Sequence, residues 1–235
     1  MHQRLFAEYG AVFVTTATPP PVVIFSDEQA VSEYQSALAT ASGFFGDYEM
    51  ILQRDAMAAL KEAAARASRA GLSLTARAED SGARVYADTV RLWVRNVTRG
   101  LEHWKSLGRI DEESAARISA LALPDQVGAV LELEQGGELF FGTYFDKSIL
   151  YSVAAPGASQ HLSLLAFDLK EYEDDRVEIV LNDCGWFRTV TGDLPHFTYL
   201  GRAADELGSM CLMQVRREYG GREYGFWLPD VAALL

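Results

Sequence analysis

The chain of 235 residues, 49% hydrophobic and 23% charged, is long enough to bury one substantial core, so we expect a single domain over residues 1–235. Its formal net charge of −12 argues against nucleic acid as a partner, because binding to a phosphate backbone depends on clustered lysine and arginine. No segment approaches the roughly 20 consecutive apolar residues that cross a bilayer, so no transmembrane segment is expected.

The first third of the sequence predicts two short strands and two helices. Residues 8–14 and 21–25 are rich in valine, isoleucine and phenylalanine, which favours strands, and a proline-rich turn separates them. Ser26 then begins a helix, because Ser26 and Gln29 have the spacing of a capping box. The alanine, leucine and methionine content of 48–69 predicts a second helix there.

The middle of the chain is predicted to be mainly helical. After a short strand over 72–75 and a polar loop, aromatic and aliphatic residues at helical spacing predict a long helix over 85–107. Asp111 and Pro124 are suited to begin two further helices. These two helices would form a helical insert around 109–136.

The remainder of the chain is predicted to be rich in strands, with one helix over 174–182. The expected strands lie at 164–169, 186–190 and 196–199, and in a hairpin over 212–228 that turns at Gly220 and Gly221. Helices followed by strands indicate an α+β domain with a mainly antiparallel sheet flanked by helices.

Two histidines and an aspartate in this strand-rich part form a candidate metal site. Asp168 lies in the apolar run 164–169, and a buried carboxylate is costly unless a cation compensates its charge. The segment before this run can fold His161 back toward Asp168, which would give ligands suited to zinc. His196 follows a turn, three residues after Asp193. The spacing alone fits a catalytic zinc with a nearby base, and it equally fits ordinary core and turn residues.

These residues resemble the motifs of the zinc D-alanyl-D-alanine carboxypeptidases and dipeptidases linked to vancomycin resistance, which share a fold with the Hedgehog signalling domain. That family carries S-x-H-x-x-G-x-A-x-D and, further on, E-x-W-H. The residues at these positions here are Ser159, His161, Leu164, Ala166 and Asp168, then Asp193, Pro195 and His196. The resemblance covers about residues 72–200 and leaves out the helical insert.

The resemblance implies that His161, Asp168 and His196 bind Zn2+. It further implies that Asp193 stands where the family's glutamate acts as the general base, with a side chain that is one methylene shorter. Two other positions also depart from the motif: Leu164 replaces glycine and Pro195 replaces tryptophan.

The family also has an arginine whose fork can pair with the terminal carboxylate of the substrate. Arg77 follows the predicted strand over 72–75, and Arg84 begins an R-x-Y sequence that matches the family's R-S-Y, so both compete for this role. Ser159 and Tyr151 are further candidates for hydrogen bonds to the substrate.

The implied fold is Hedgehog/DD-peptidase-like, and the implied activity is removal of a terminal D-amino acid from a peptidoglycan stem peptide. Because that substrate lies outside the cytoplasmic membrane, the activity implies a periplasmic or secreted protein whose signal peptide is missing from this sequence. Two alternatives stay open. One is an LD-carboxypeptidase or wall endopeptidase, and the other is a catalytically inactive zinc-binding protein of the same fold, which the short Asp193 side chain favours.

Overall fold

A computed structural model describes residues 1–234 and shows an α+β fold with small antiparallel sheets. The helices are α1 (His2–Tyr9), α2 (Glu28–Ser36), α3 (Arg54–Arg69), α4 (Tyr86–Ser106), α5 (Glu112–Ser119), α6 (Leu123–Gln135) and α7 (Asp175–Asn182). The strands are β1 (Thr40–Phe45), β2 (Tyr48–Gln53), β3 (Ala166–Asp168), β4 (Trp186–Phe187), β5 (His196–Tyr199), β6 (Leu212–Tyr219) and β7 (Arg222–Pro229).

The predicted α+β class and antiparallel pairing are confirmed, but the strands of residues 1–234 do not form one main sheet. They form three separate sheets, with strand orders β1–β2, β3–β5–β4 and β6–β7. Each of these sheets is only two or three strands wide, so most of the core is covered by helices and irregular segments. Over the same residues, no helix combines the length and apolar character that a bilayer span requires.

Two apolar clusters make up most of the core. The first joins α3, α7, the β1–β2 hairpin and the β3–β5–β4 sheet, and it contains Phe167 and Phe197. The second joins α1, α4, α5 and α6 around Trp93 and Trp104. The helices predicted as an insert over 109–136 therefore pack against α4 inside the second cluster.

The long helix and the two helices after it are confirmed. The buried residues of α4 recur at helical spacing, and the Asp111 side chain accepts a hydrogen bond from the Ser114 amide of α5 at 2.6 Å. Pro124 lies in the first turn of α6, where its missing N–H costs nothing. The C-terminal hairpin is also confirmed, since Gly220 and Gly221 both have the positive φ that its turn requires.

The two predicted N-terminal strands are wrong. Residues 8 and 9 end α1 and Gly10–Val14 form a 3-10 helix, and the Tyr9 hydroxyl donates to the Leu150 carbonyl oxygen at 2.9 Å. Residues 21–25 are irregular, since the prolines before them lack the N–H groups that a ladder needs. Asp27, not Ser26, caps α2 by accepting a bond from the Ala30 amide at 2.8 Å.

The helix predicted over 48–69 begins only at Arg54, because the residues before it form the β1–β2 hairpin. Met50 and Leu52 are buried while Ile51 between them is exposed, which is the alternation of a strand. Gly46, at φ 68°, forms the turn of this hairpin.

Of the other strand predictions, 196–199 is confirmed as β5, and the remaining three are wrong in extent. Residues 72–75 form no strand, and only Ala76 makes a bridge, to Leu169. The strand predicted over 164–169 is shortened because Leu164 has a left-handed backbone, with φ 58° and ψ 30°. The strand predicted over 186–190 ends early because the Arg188 carbonyl oxygen accepts a bond from β7, at 2.8 Å, instead of from β5.

Candidate metal centre

The pairing of β3 with β5 brings two of the predicted ligands together. Asp168 lies directly opposite His196 in this antiparallel pair, so their side chains share one face of the sheet. His196 Nδ1 lies 3.2 Å from Asp168 Oδ1. Phe167 and Phe197 form the next pair and enter the first apolar cluster on the opposite face. The sheet thus separates a polar site from the core.

His161 reaches the same point from a 3-10 turn over Gln160–Ser163. The left-handed backbone of Leu164 then turns the chain into β3. His161 Nε2 lies 3.3 Å from Asp168 Oδ1, and the two imidazole rings are 4.9 Å apart at an angle of 74°. The ligand atoms of all three residues lie within 4.8 Å of one another, so this buried triad could hold a metal ion.

His161 is held in one protonation state. Its Nδ1 lies 2.7 Å from the Gly82 carbonyl oxygen, and because a carbonyl oxygen only accepts, Nδ1 carries the proton. Burial, with a smaller effect of the Arg84 charge, lowers the pKa of His161 to about 4, so the ring is neutral at neutral pH. Nε2 therefore presents a lone pair to Asp168, and the short contact between them is not an ion pair.

Asp168 is a carboxylate in this setting. Burial opposes its ionisation, and the charge of Arg84 favours it. Its second oxygen, Oδ2, accepts a hydrogen bond from Arg84 Nη2 at 2.9 Å. The Asp168 main chain is also fixed, since its carbonyl oxygen accepts from the Arg77 amide at 3.0 Å. Only Oδ1 faces the two histidines.

A cavity of about 260 Å³ opens beside the triad. All eight residues that the sequence singled out line it: Arg77, Arg84, Tyr151, Ser159, His161, Asp168, Asp193 and His196. The lining carries three arginines and three aspartates, counting Arg95 and Asp80 with those just named. A divalent cation would therefore leave this cavity net positive on a chain whose net charge is −12.

Asp193 lies on the turn that precedes His196. Its carbonyl oxygen accepts a bond from the His196 amide at 3.2 Å, which fixes the turn next to the ligand. Burial raises the pKa of the Asp193 carboxyl, and the nearby Asp168 charge adds to this, although His196 and the two cavity arginines act against it. A carboxyl group with a raised pKa is better able to accept and hold a proton.

Arg188 is a residue of this site that the sequence reasoning missed. Its guanidinium is fully buried and donates to the carbonyl oxygens of Leu194, at 2.8 Å, and Tyr172, at 2.6 Å. It also pairs with Glu178 and lies over the Phe197 ring, 4.6 Å from its centroid. Arg188 thus ties down the turn that carries Asp193. The sequence does contain a signal that could have identified it, because Arg188 is a charged residue within the predicted strand 186–190.

Gln160 is the second residue that was missed. It is buried, at 3% exposure, and directly precedes His161 in the motif. Its side chain contacts the other histidine, with Oε1 2.9 Å from His196 Nε2. Thr189 and Thr198 complete this buried polar cluster.

Searches for similar proteins gave no match to this chain among family models, curated proteins or solved structures.

Proposed function

We propose that this chain is a zinc-dependent D-alanyl-D-alanine carboxypeptidase with a Hedgehog/DD-peptidase-like fold, which acts on peptidoglycan stem peptides. One observation carries the metal part of this proposal. The buried Nε2 atom of His161 has no hydrogen-bond partner within residues 1–234, and its lone pair faces the Asp168 carboxylate. A cation between the two atoms would turn this repulsion into coordination.

The spacing of the ligand atoms supports zinc as that cation. Ligands about 2.0–2.1 Å from a tetrahedral zinc are about 3.3–3.4 Å from one another. Asp168 Oδ1 lies 3.3 Å from His161 Nε2 and 3.2 Å from His196 Nδ1. Two imidazole nitrogens and one carboxylate oxygen are a donor set that zinc accepts, and three protein ligands leave a fourth position for water.

The backbone of Leu164 supports the family resemblance. The family motif has glycine at this position, and glycine is the residue that adopts a left-handed backbone most easily. Leu164 has that conformation, with φ 58°, although a side chain makes it costly. Leu164 therefore has a backbone conformation that the glycine of the motif would adopt without a steric cost.

When bound, zinc would supply a Lewis acid that polarises the scissile carbonyl and acidifies a water molecule. Asp193 lines the same cavity and would accept the proton of that water and pass it to the leaving amine. Its raised pKa suits it to hold the proton between these two steps. Arg188 binds the Leu194 carbonyl oxygen next to Asp193. This contact would compensate for the short aspartate side chain by holding its backbone close to the site.

The two candidate arginines differ in what they already bind. Arg84 donates to Asp168 and so orients a metal ligand. Arg77 is exposed, lines the cavity and pairs with no carboxylate of residues 1–234, so we assign it to the terminal carboxylate of the substrate. Ser159 and Tyr151 line the same cavity and can donate hydrogen bonds to the peptide.

Because peptidoglycan lies outside the cytoplasmic membrane, the proposal includes a periplasmic or secreted location. The alternatives are distinguished by substrate. An LD-carboxypeptidase or wall endopeptidase would cleave a different bond of the same polymer. A catalytically inactive zinc-binding protein of this fold would bind the metal and cleave none.

The test combines zinc binding with release of D-alanine from a pentapeptide stem. We expect Asp193→Asn to lower the turnover rate by about 10²–10⁴-fold, the usual contribution of a general base, without lowering zinc affinity. Asp183→Asn is the matched control, because Asp183 is exposed and lies outside the cavity. Zinc binding without cleavage of DD, LD or cross-linked peptides would replace the peptidase with the zinc-binding protein. Failure to bind zinc would overturn both.

A further inference from the structure

A buried polar cluster around Gln160 contacts the metal ligand His196. The Gln160 amide nitrogen donates to the Tyr9 carbonyl oxygen at 2.9 Å. Because that carbonyl only accepts, the amide cannot be turned around, and Oε1 must face His196. His196 Nε2 lies 2.9 Å from this oxygen, which also only accepts. The proton of His196 must therefore be on Nε2.

We propose that Gln160 is a positioning residue that selects the Nε2–H tautomer of His196 and thereby leaves Nδ1 free to coordinate the metal. This inference rests on the metal centre of the proposed function but not on peptidase activity. Nδ1 is the atom that lies 3.2 Å from Asp168 Oδ1, so it must carry a lone pair for the triad to bind a cation. The Nδ1–H tautomer would place a proton in the metal position.

Two threonines hold the Gln160 oxygen in place. Thr189 Oγ1 lies 3.0 Å from Oε1, and the Thr198 hydroxyl also donates to it. Both threonines are fully buried, and their hydroxyl oxygens are 2.7 Å apart. Thr198 lies two residues after His196 on β5, so the strand presents both side chains to the same face. A rotation of the amide would remove Oε1 from both hydroxyls and would place it against the Tyr9 carbonyl oxygen, where no donor within residues 1–234 meets it.

The site therefore holds two histidines of opposite tautomer. The Gly82 carbonyl oxygen fixes the proton of His161 on Nδ1 and leaves Nε2 for the metal. Gln160 fixes the proton of His196 on Nε2 and leaves Nδ1. Outer-shell partners of this kind commonly change metal affinity by about 10–100-fold.

A matched pair of substitutions isolates this role. Gln160→Met keeps the size of the side chain and removes the oxygen that faces His196. Gln53 is buried to a similar degree, at 4% exposure, and its side chain also makes several hydrogen bonds, to Thr18 and Ser163 among others, but none to a histidine. Gln53→Met therefore controls for the loss of a buried amide.

The direct measurement is nitrogen-15 NMR of the imidazoles in metal-free wild-type protein at about pH 8, above the ordinary histidine pKa of about 6.5. We expect Nε2–H on His196 and Nδ1–H on His161. Gln160→Met should let His196 populate Nδ1–H and should weaken zinc binding about 10–100-fold relative to Gln53→Met. A proton on His196 Nδ1 in the wild type, or equal zinc affinity of the two variants, would overturn the role of Gln160.

Because the NMR measurement needs no metal, it reports on Gln160 even if zinc does not bind. A wild type with the expected tautomers but no zinc uptake would contradict the proposed function and leave the tautomer assignment standing. The NMR measurement on the wild type also tests the inference if Gln160→Met does not fold.

Discussion

Two buried carboxylates in this protein have opposite surroundings. The Glu134 side chain is fully buried and is met by hydrogen-bond donors: the Ser148 hydroxyl at 2.5 Å, the Ile149 amide at 2.7 Å, the Phe141 amide at 3.0 Å and Arg4 at 3.3 Å. Asp168 Oδ1 is met by two imidazole nitrogens that, by the tautomers argued above, carry lone pairs. Arg84 satisfies Asp168 Oδ2, but Oδ1, unlike either oxygen of Glu134, is met by no donor in the described part of the chain.

This difference separates a structural carboxylate from a ligand. A buried charge that is surrounded by donors is already compensated and holds its neighbours in place. A buried carboxylate oxygen that is surrounded by acceptors lacks a positive partner on that side, and a cation of suitable size supplies it. Their side-chain exposures, 0% for Glu134 and 14% for Asp168, are both low, so the neighbouring donors and acceptors make the distinction.

The largest expected effect is the loss of zinc-dependent stabilisation when Asp168 is replaced. Zinc at 1,000 times its dissociation constant should stabilise the wild type by about 4.1 kcal/mol. Asp168→Asn should abolish this stabilisation, because the amide removes the charge and offers a poorer ligand. Thermal unfolding with and without zinc measures it. Asp183→Asn should keep the full zinc-dependent rise in Tm, and a rise of the same size in Asp168→Asn would contradict the assignment.

The same isosteric change at Glu134 should have the opposite result. Glu134→Gln should lower the free energy of unfolding by about 3 kcal/mol, because it replaces an acceptor by a donor among groups that are donors already. Zinc affinity should stay at the wild-type value. Denaturant unfolding and a zinc titration of the same sample test both halves. Loss of zinc binding in a folded Glu134→Gln protein would show that the two carboxylates are not independent.

The smallest expected effect concerns the arginines. Arg84 donates to Asp168, whereas Arg77 is assigned to the substrate. Arg77→Gln should lower kcat/KM by about 10–100-fold, the range that a hydrogen bond to a charged group provides, and should leave zinc affinity unchanged. A peptide with a terminal amide should lose this dependence on Arg77. If both peptides respond equally to the substitution, Arg77 does not bind the carboxylate.

Local signals in the sequence predicted the helices well and the strands poorly. The cap at Asp111 and the apolar spacing of α4 are local, so they identified their helices correctly. The β1–β2 hairpin was missed because the alternation of Met50 and Leu52 is too short to stand out beside the alanine-rich α3. β3 begins later than predicted because Leu164 has a left-handed backbone, a conformation that leucine rarely adopts.

The residues of the site also fall into those that local sequence signals identified and those that they missed. The sequence supplied His161, Asp168 and His196 because a motif with known spacing contains them. It did not supply Gln160, because the partner of Gln160 lies 36 residues away and nothing near it in the sequence marks the contact. Arg188 was missed for a related reason, since its contacts join α7, β5 and two turns.

The central claim is that the triad lacks a cation, and the most direct measurement is a zinc titration of metal-free wild-type protein against a competing chelator. We predict one zinc ion per chain, with a matching loss of that site in Asp168→Asn and no loss in Glu134→Gln. A wild-type protein that takes up no zinc, or that keeps its zinc in Asp168→Asn, would contradict the account.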